Sequence, residues 1–341
     1  MVSPSSPERG SDPCLPIQVD LSAMLDGELD PASVRRVMVH SDVCPSCRAF
    51  LDGIRSQVRL HRKVAMATVP PEVDGGEAHA PHEAVTAGAR LRDELTANRL
   101  RLAKILYELG RGFVLMGLSA DFSRVVAKEP VPVPDMAMRG RNLVDEATRA
   151  GDQGPEWVAA KDLFDGCIRT ADENLGRGQR LLTECLSLDG TCHESRIYLG
   201  LVHHVRGQRA LARRQFQTIL AESSDSLVRA YALSNLSNVH LDEGDFDEAV
   251  RLLLELVASD ALEKQPRIGT AMFNLGLAYG LKGQFSESLR WFGRLHEEMP
   301  HRRNYVASEL GRRSQFLFLV RSHPEAKDLA NALQEWFLAA S

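Results

Sequence analysis

The string His40-Ser-Asp-Val-Cys44-Pro-Ser-Cys47 constrains this chain more than any other feature. A histidine four residues before a cysteine, with a second cysteine three further on, places three soft donors on neighbouring helical turns, where they can converge on one point. Zinc takes thiolate and imidazole in a tetrahedron, so a fourth donor is wanted. Cys14 supplies it if a helical hairpin folds the N-terminal arm back onto the cluster. Four protein donors leave no position for water, which makes such a site structural. A redox Cys-x-x-Cys pair, or two plain thiols beside a surface histidine, would not need the histidine at that spacing.

The flanking residues read as three short helices. Val19, Leu21, Met24 and Leu25 mark the first, which Asp26-Gly27 stops. Asp30-Pro31 is an N-cap followed by proline at the first helical position, so the second runs from about Pro31 to His40. A third begins near Pro45 with Phe50, Leu51, Ile54 and Val58 on its apolar side. So small a bundle has little core, and a metal staple is physically expected.

The string Leu21-Ser-Ala-Met-Leu-Asp-Gly-Glu-Leu-Asp30-Pro31, followed by His40, Cys44, Pro45, Cys47 and Arg48, resembles the zinc-binding anti-sigma domain of bacterial regulators. The resemblance covers roughly residues 14–64. It implies that His40, Cys44 and Cys47 are the invariant Zn2+ ligands and Cys14 the more variable fourth. It further implies a domain that, with one more helix, wedges between the two DNA-binding regions of an extracytoplasmic-function sigma factor and blocks its access to core RNA polymerase. In some members oxidation of the zinc thiolates releases the sigma factor, and a redox switch is among the implied behaviours.

A chain of 341 residues with 44% hydrophobic and 26% charged residues can bury a large core in two or more domains. A net charge of -5 gives no general attraction to nucleic acid or to an acidic membrane surface. Six cysteines, three of them in the metal motif, suit a reducing compartment better than a disulfide framework. Residues 1–13 are polar and rich in serine and proline, unlike a secretion signal, and are expected to be disordered. The longest apolar run, Phe113 to Leu118, is far short of a transmembrane span. A cytoplasmic protein without a membrane anchor is expected, unlike the membrane-bound members of the resembling family.

The metal module, 14–64, gives way to a stretch at 65–82 containing Pro70-Pro71, Gly75-Gly76 and Pro81, which reads as a flexible linker. His79 and His82 fall in it and lack cysteine company. Residues 83–118 show helical spacing, with Leu91, Leu95, Leu100, Leu102, Ile105, Leu106 and Leu109 among charged residues, and Gly110-Arg-Gly112 as a point of breakage. This long amphipathic helix is either the fourth helix that would lie along a sigma factor or a core helix of the next domain. A second linker, 128–158, opens with Glu129-Pro-Val-Pro-Val-Pro-Asp135, extended and stiff.

Residues 159–302 carry an internal repeat. Aligning Leu199-Gly200, Leu236-Ser237 and Leu275-Gly276 brings His203, His240 and Tyr279 into register, then Gly207, Gly244 and Gly283, then Ala212, Ala249 and Ser288, then Phe216, Leu253 and Phe292. Each glycine turns the chain, each small residue lets two helices approach, and each large residue fills the gap behind. The units, about 193–226, 230–263 and 269–302, resemble tetratricopeptide repeats, although successive offsets of 37 and 39 residues exceed the usual ~34. Residues 159–192, with Gly166, Gly178, Leu182 and Cys185 in partial register, read as a degenerate earlier unit. Residues 303–341 supply capping helices, Tyr305 to Val320 and Pro324 to Leu338, to cover the last apolar face. Such an array leaves a groove for a protein or peptide ligand, near which Asn235, Asn238 and Asn274 fall.

No phosphate-binding glycine loop or nucleophile-base pair is found, so no enzyme is expected. His203-His204 point different ways on a helix, Cys185 and Cys192 could pair if a turn brought them together but in a reducing cytosol read as buried free thiols, and Cys167 has no evident partner. The expected fold is all-α: a zinc-stapled bundle, a long helix and a tetratricopeptide-like solenoid. The expected function is a cytoplasmic anti-sigma-type transcription regulator whose array binds a protein or peptide, with no direct nucleic-acid contact. The alternative is an interaction scaffold whose zinc module is structural and binds no sigma factor.

Overall fold

The computed structural model describes residues 13–26, 29–67, 82–133, 157–164, 169–259 and 269–338. The expected N-terminal tail, most of both expected linkers and Cys167 lie outside the described residues. Among the described residues the chain is all-α apart from one short strand pair, and it divides into two compact units, 1–195 and 196–341.

In the first unit α1 (Leu15–Asp26), α2 (Pro31–Val43) and α3 (Pro45–Ala67) form the bundle around the cysteines. On α1 the buried residues are Ile17, Leu21 and Met24, in line with Cys14, while Val19 is 57% exposed. The helix starts at Leu15, earlier than the apolar pattern suggests, and strides of three and four from Cys14 leave Val19 on the opposite face. Asp30 caps α2 by accepting from the backbone N–H groups of Ala32 (2.8 Å) and Ser33 (3.1 Å), with Pro31 in the first turn. On α3 Leu51 is buried, but Phe50, expected beside it, faces solvent.

Helix α4 (His82–Leu118) divides into two stretches. From Arg90 to Arg101 its described side chains are exposed except for half-buried Leu95. From Leu102 onward Ile105, Leu106, Leu109, Phe113 and Val114 are buried. The helix does not break at Gly110-Arg-Gly112, because those glycines serve packing. A Cβ on Gly112 would stand 2.6 Å from the Met38 sulfur of α2. One on Gly110 would stand 2.8 Å from Leu182 of α6 (Ala171–Leu188). Gly178 of α6 in turn lies against Val114 and the Gly110 carbonyl. Bare backbone on both helices brings α4 and α6 together closely, with α2 against another part of α4.

Helix α5 (Ala120–Lys128) leads into β1 (Pro130–Pro132), which pairs antiparallel with β2 (Trp157–Ala159). The alternating proline stretch expected as a linker is therefore partly a buried strand, with Val131 and Val133 in the core. Its prolines are tolerated because the two-stranded pair is all edge. The described residues of 159–192 hold one helix instead of a helix pair of the repeat type, and Gly166 lies outside the described residues. A strand end and a short 3-10 turn (Ala160–Phe164) precede α6, and Gly178 serves the crossing with α4.

The second unit stacks helix pairs: α7 (His193–Val205), which begins in the first unit, with α8 (Arg209–Glu222), α9 (Ser226–Glu243) with α10 (Phe246–Ala258), and α11 (Thr270–Leu281) with α12 (Phe285–Glu298). The turn residues Gly207, Gly244 and Gly283 all have positive φ, 71°, 78° and 78°, where a side chain would be strained. Ala212, Ala249 and Ser288 are fully buried, as are Phe216, Leu253 and Phe292. Gly200 and Gly276 lie against the rings of Phe216 and Phe292, where a Cβ would approach to 2.5 and 2.6 Å. His203 and His240 reach over their turns to Gln208 and Asp245.

The cap expected as one helix over 305–320 is two, α13 (Arg303–Gly311) and α14 (Ser314–Ser322), with α15 (Lys327–Leu333) after them. The break after Gly311 lets Phe316 and Val320 turn into the core beside Leu329, Leu333 and Phe337.

Candidate metal centre

Cys14, His40, Cys44 and Cys47 come together, all fully buried. One ligand atom from each lies within 4.8 Å of the others. Local structure explains the convergence. Cys14 sits at the start of α1, its carbonyl accepting from Gln18 N–H. His40 occupies the last turn of α2, Cys44 caps that helix in an extended conformation, and Cys47 lies in the first turn of α3. The motif therefore wraps a helical corner instead of lying along one helix face, and Pro45 opens the new helix.

The donor set fits a tetrahedral metal. Sulfurs bound to one zinc at ~2.3 Å stand about 3.8 Å apart, and the Cys14 and Cys44 sulfurs are 3.6 Å apart. Burial, and after it the neighbouring Cys14 and Cys44 sulfurs, push the Cys47 thiol far above its ordinary pKa. Such a cluster resists carrying negative charge alone and favours a cation that neutralises it. An ion held tetrahedrally by all four of these residues would have no position left for a reacting water.

The imidazole is fixed from behind. His40 Nδ1 donates to the Pro132 carbonyl at 2.9 Å, because a backbone carbonyl can only accept, and this leaves the lone pair of Nε2 for the metal. Nothing in the spacing of the motif points to Pro132. Beside it, Glu129 is 7% exposed and pairs with Arg35 (2.8 Å) and Arg36 (3.6 Å) of α2, which anchors β1 over the module. Asp42, between His40 and Cys44, is buried and receives Arg169 and Arg177, the latter at 3.1 Å. Burial lowers the Arg177 pKa and the Asp42 carboxylate opposes that shift. A further guanidinium, Arg48, donates to the Asp42 backbone carbonyl. Of these supporting groups, Glu129, Pro132, Arg169 and Arg177 lie far along the chain from the motif, whereas Arg48 directly follows Cys47.

Residues 14–48 match the family model described as Putative zinc-finger. Residues 228–297 and 193–218 match tetratricopeptide repeat models. The chain thus joins a zinc-finger-type module to tetratricopeptide repeats. No curated protein matches it. Among the described residues no helix is long and apolar enough to cross a membrane.

Other candidate residues find separate roles. His203 bonds Gln208 at 2.6 Å and His204 bonds Asp242 at 2.8 Å, so the two rings diverge. Asn274 donates to Asn238 at 2.7 Å, and Asn235 to the Tyr231 carbonyl of its own helix.

Proposed function

We propose that this chain is a zinc-dependent anti-sigma-type regulator that sequesters an extracytoplasmic-function sigma factor in the cytoplasm, while its repeat array receives a protein or peptide signal. The observation that carries this reading is the buried four-donor corner within residues 14–48, together with the Leu21–Pro31 string that resembles anti-sigma domains. Three thiolates and an imidazole in a tetrahedron favour zinc over harder metals. Zinc holds the corner in shape, and occlusion does the work. The exposed stretch of α4, with Leu100 at 44% exposure, supplies an arm of the kind that lies along a partner. The reading assigns no catalysis and no nucleic-acid contact to the chain.

One observation favours a second reading, an interaction scaffold. In the first unit α4, β1 and α6 all pack on or pair with the metal module, leaving less of it to offer a partner.

Affinity capture from the host separates the two. Wild type is compared with Cys44→Ala and with Leu95→Asp/Leu100→Asp, whose changes lie on the exposed arm. Recovery of one sigma factor by wild type, and its loss with the arm variant at unchanged helicity, supports occlusion. Recovery of other proteins with no sigma factor supports the scaffold.

A further inference from the structure

We propose that Cys192 and Cys185 form a peroxide-responsive dithiol, separate from the metal cluster, in which Cys192 is the attacking sulfur and Cys185 the resolving one. Helix α6 ends at Leu188, and Asp189 folds the chain back by accepting from the Thr191 N–H (2.9 Å) and hydroxyl (2.6 Å). Cys192 N–H then bonds the Asp189 carbonyl at 3.3 Å, and α7 starts one residue later. This turn returns Cys192 toward Cys185, so that both sulfurs meet one side chain. The Ser195 hydroxyl lies 3.2 Å from each of them.

The two thiols differ in the ways such a pair requires. Cys185 is fully buried, whereas Cys192 is half-buried. The neighbouring Cys192 sulfur, and after it burial, hold the Cys185 thiol well above its ordinary pKa. The neighbouring Cys185 thiol lowers Cys192 to about 7, against burial and with help from the Ser195 hydroxyl and backbone N–H at the start of α7. The metal-cluster sulfurs are fully buried, so Cys192 is the sulfur that solvent reaches first among the described cysteines.

The chemistry balances with hydrogen peroxide as oxidant. The Cys192 thiolate attacks one peroxide oxygen, the S–O bond forms as the O–O bond breaks, and hydroxide leaves to take up a proton. The Cys185 thiol then loses its proton as its sulfur attacks Cys192, the S–O bond breaks and water departs. Two thiols become one disulfide and one peroxide becomes two waters. Glu184, adjacent to Cys185, pairs with Arg55 of α3 at 3.2 Å, which connects this turn to the helix carrying Cys47.

The test treats full-length, zinc-loaded protein with limiting hydrogen peroxide and maps disulfides by non-reducing peptide mass spectrometry. The expected product is Cys185–Cys192, with Cys14, Cys44 and Cys47 recovered reduced. Cys192→Ser abolishes it, and Cys185→Ser leaves a sulfenic acid on Cys192 that dimedone traps. Alkylation of Cys192 in unmodified protein is expected to show a midpoint near 7, and at pH 7 to run roughly threefold faster than for an ordinary thiol, since greater ionisation outweighs weaker nucleophilicity. Disulfides within the metal cluster forming first, a bond from Cys192 to Cys167, or an alkylation midpoint at the ordinary ~8.5 would each overturn the proposal. The alkylation profile needs no substitution, so a Cys185→Ser chain that fails to fold does not shield it.

Discussion

His40 donates its Nδ1 hydrogen to the carbonyl of Pro132, 92 positions further along the chain. A strand outside the matched zinc-finger segment thereby sets the orientation of a ligand inside it.

Lifting that strand should weaken metal binding without touching a ligand. Val131 is fully buried, and Val131→Asp would place an uncompensated carboxylate there, so the strand must move toward water. Loss of a supporting partner of this kind costs roughly 10- to 100-fold in metal affinity. Competition with a chromogenic chelator measures it, and Val131→Ile, which keeps the strand seated, should stay within a few fold.

Asp42 tests how far the arginines hold the corner. Its carboxylate is 2% exposed, whereas Arg169 and Arg177 are 36% and 30% exposed. Removing one partner of a fully buried pair costs about 3–5 kcal/mol, but these guanidinium groups can rehydrate once released. Asp42→Ala should therefore lower the stability of the first unit by roughly 2 kcal/mol, read as a reduced urea midpoint at unchanged slope. No change in midpoint would mean that the arginines contribute nothing net.

The residues that announce themselves in the sequence are those whose chemistry is local. Asp30-Pro31 caps a helix, Gly207, Gly244 and Gly283 turn the repeat, and the four metal donors share a spacing that few other tasks need. Val19 belongs to an apolar face by pattern yet is exposed, because helical period gives a stripe only once the true helix start is known, whereas Phe50 is exposed although α3 starts where expected. The proline-alternating stretch is opaque for another reason. Pairing of Val131 with Val158 is a long-range contact, and local propensity alone reads such a stretch as extended linker. Gly178 fits a repeat by register, whereas its role depends on Val114 of a helix far upstream.

That helix crossing makes a paired prediction. A methyl group on Gly178 would stand 2.6 Å from Val114 Cγ2, 2.8 Å from the Gly110 carbonyl oxygen and 3.0 Å from the Val114 nitrogen. Two of those atoms are backbone, so no rotamer change relieves them, and Gly178→Ala should destabilise by about 1–3 kcal/mol. Gly53, on α3, has nothing within 4 Å of the same position. There Gly→Ala should stabilise by roughly 0.5–1 kcal/mol through helix propensity. Thermal melts of the two single variants should move in opposite directions.

Metal uptake should be strongly pH-dependent. Burial and the adjacent sulfurs hold the Cys47 thiol far above its usual range in the metal-free chain, so at neutral pH the cluster carries protons that the metal must displace. Lower pH therefore favours the protonated, metal-free form, and higher pH favours the loaded one. With the Cys47 thiol protonated across this range, the logarithm of the apparent zinc affinity should rise by at least about one for each unit of pH between roughly 6 and 8. Proton release into weakly buffered solution on zinc addition gives the same number independently. A slope near zero would mean that the Cys47 thiol is already ionised without metal, which its burial argues against.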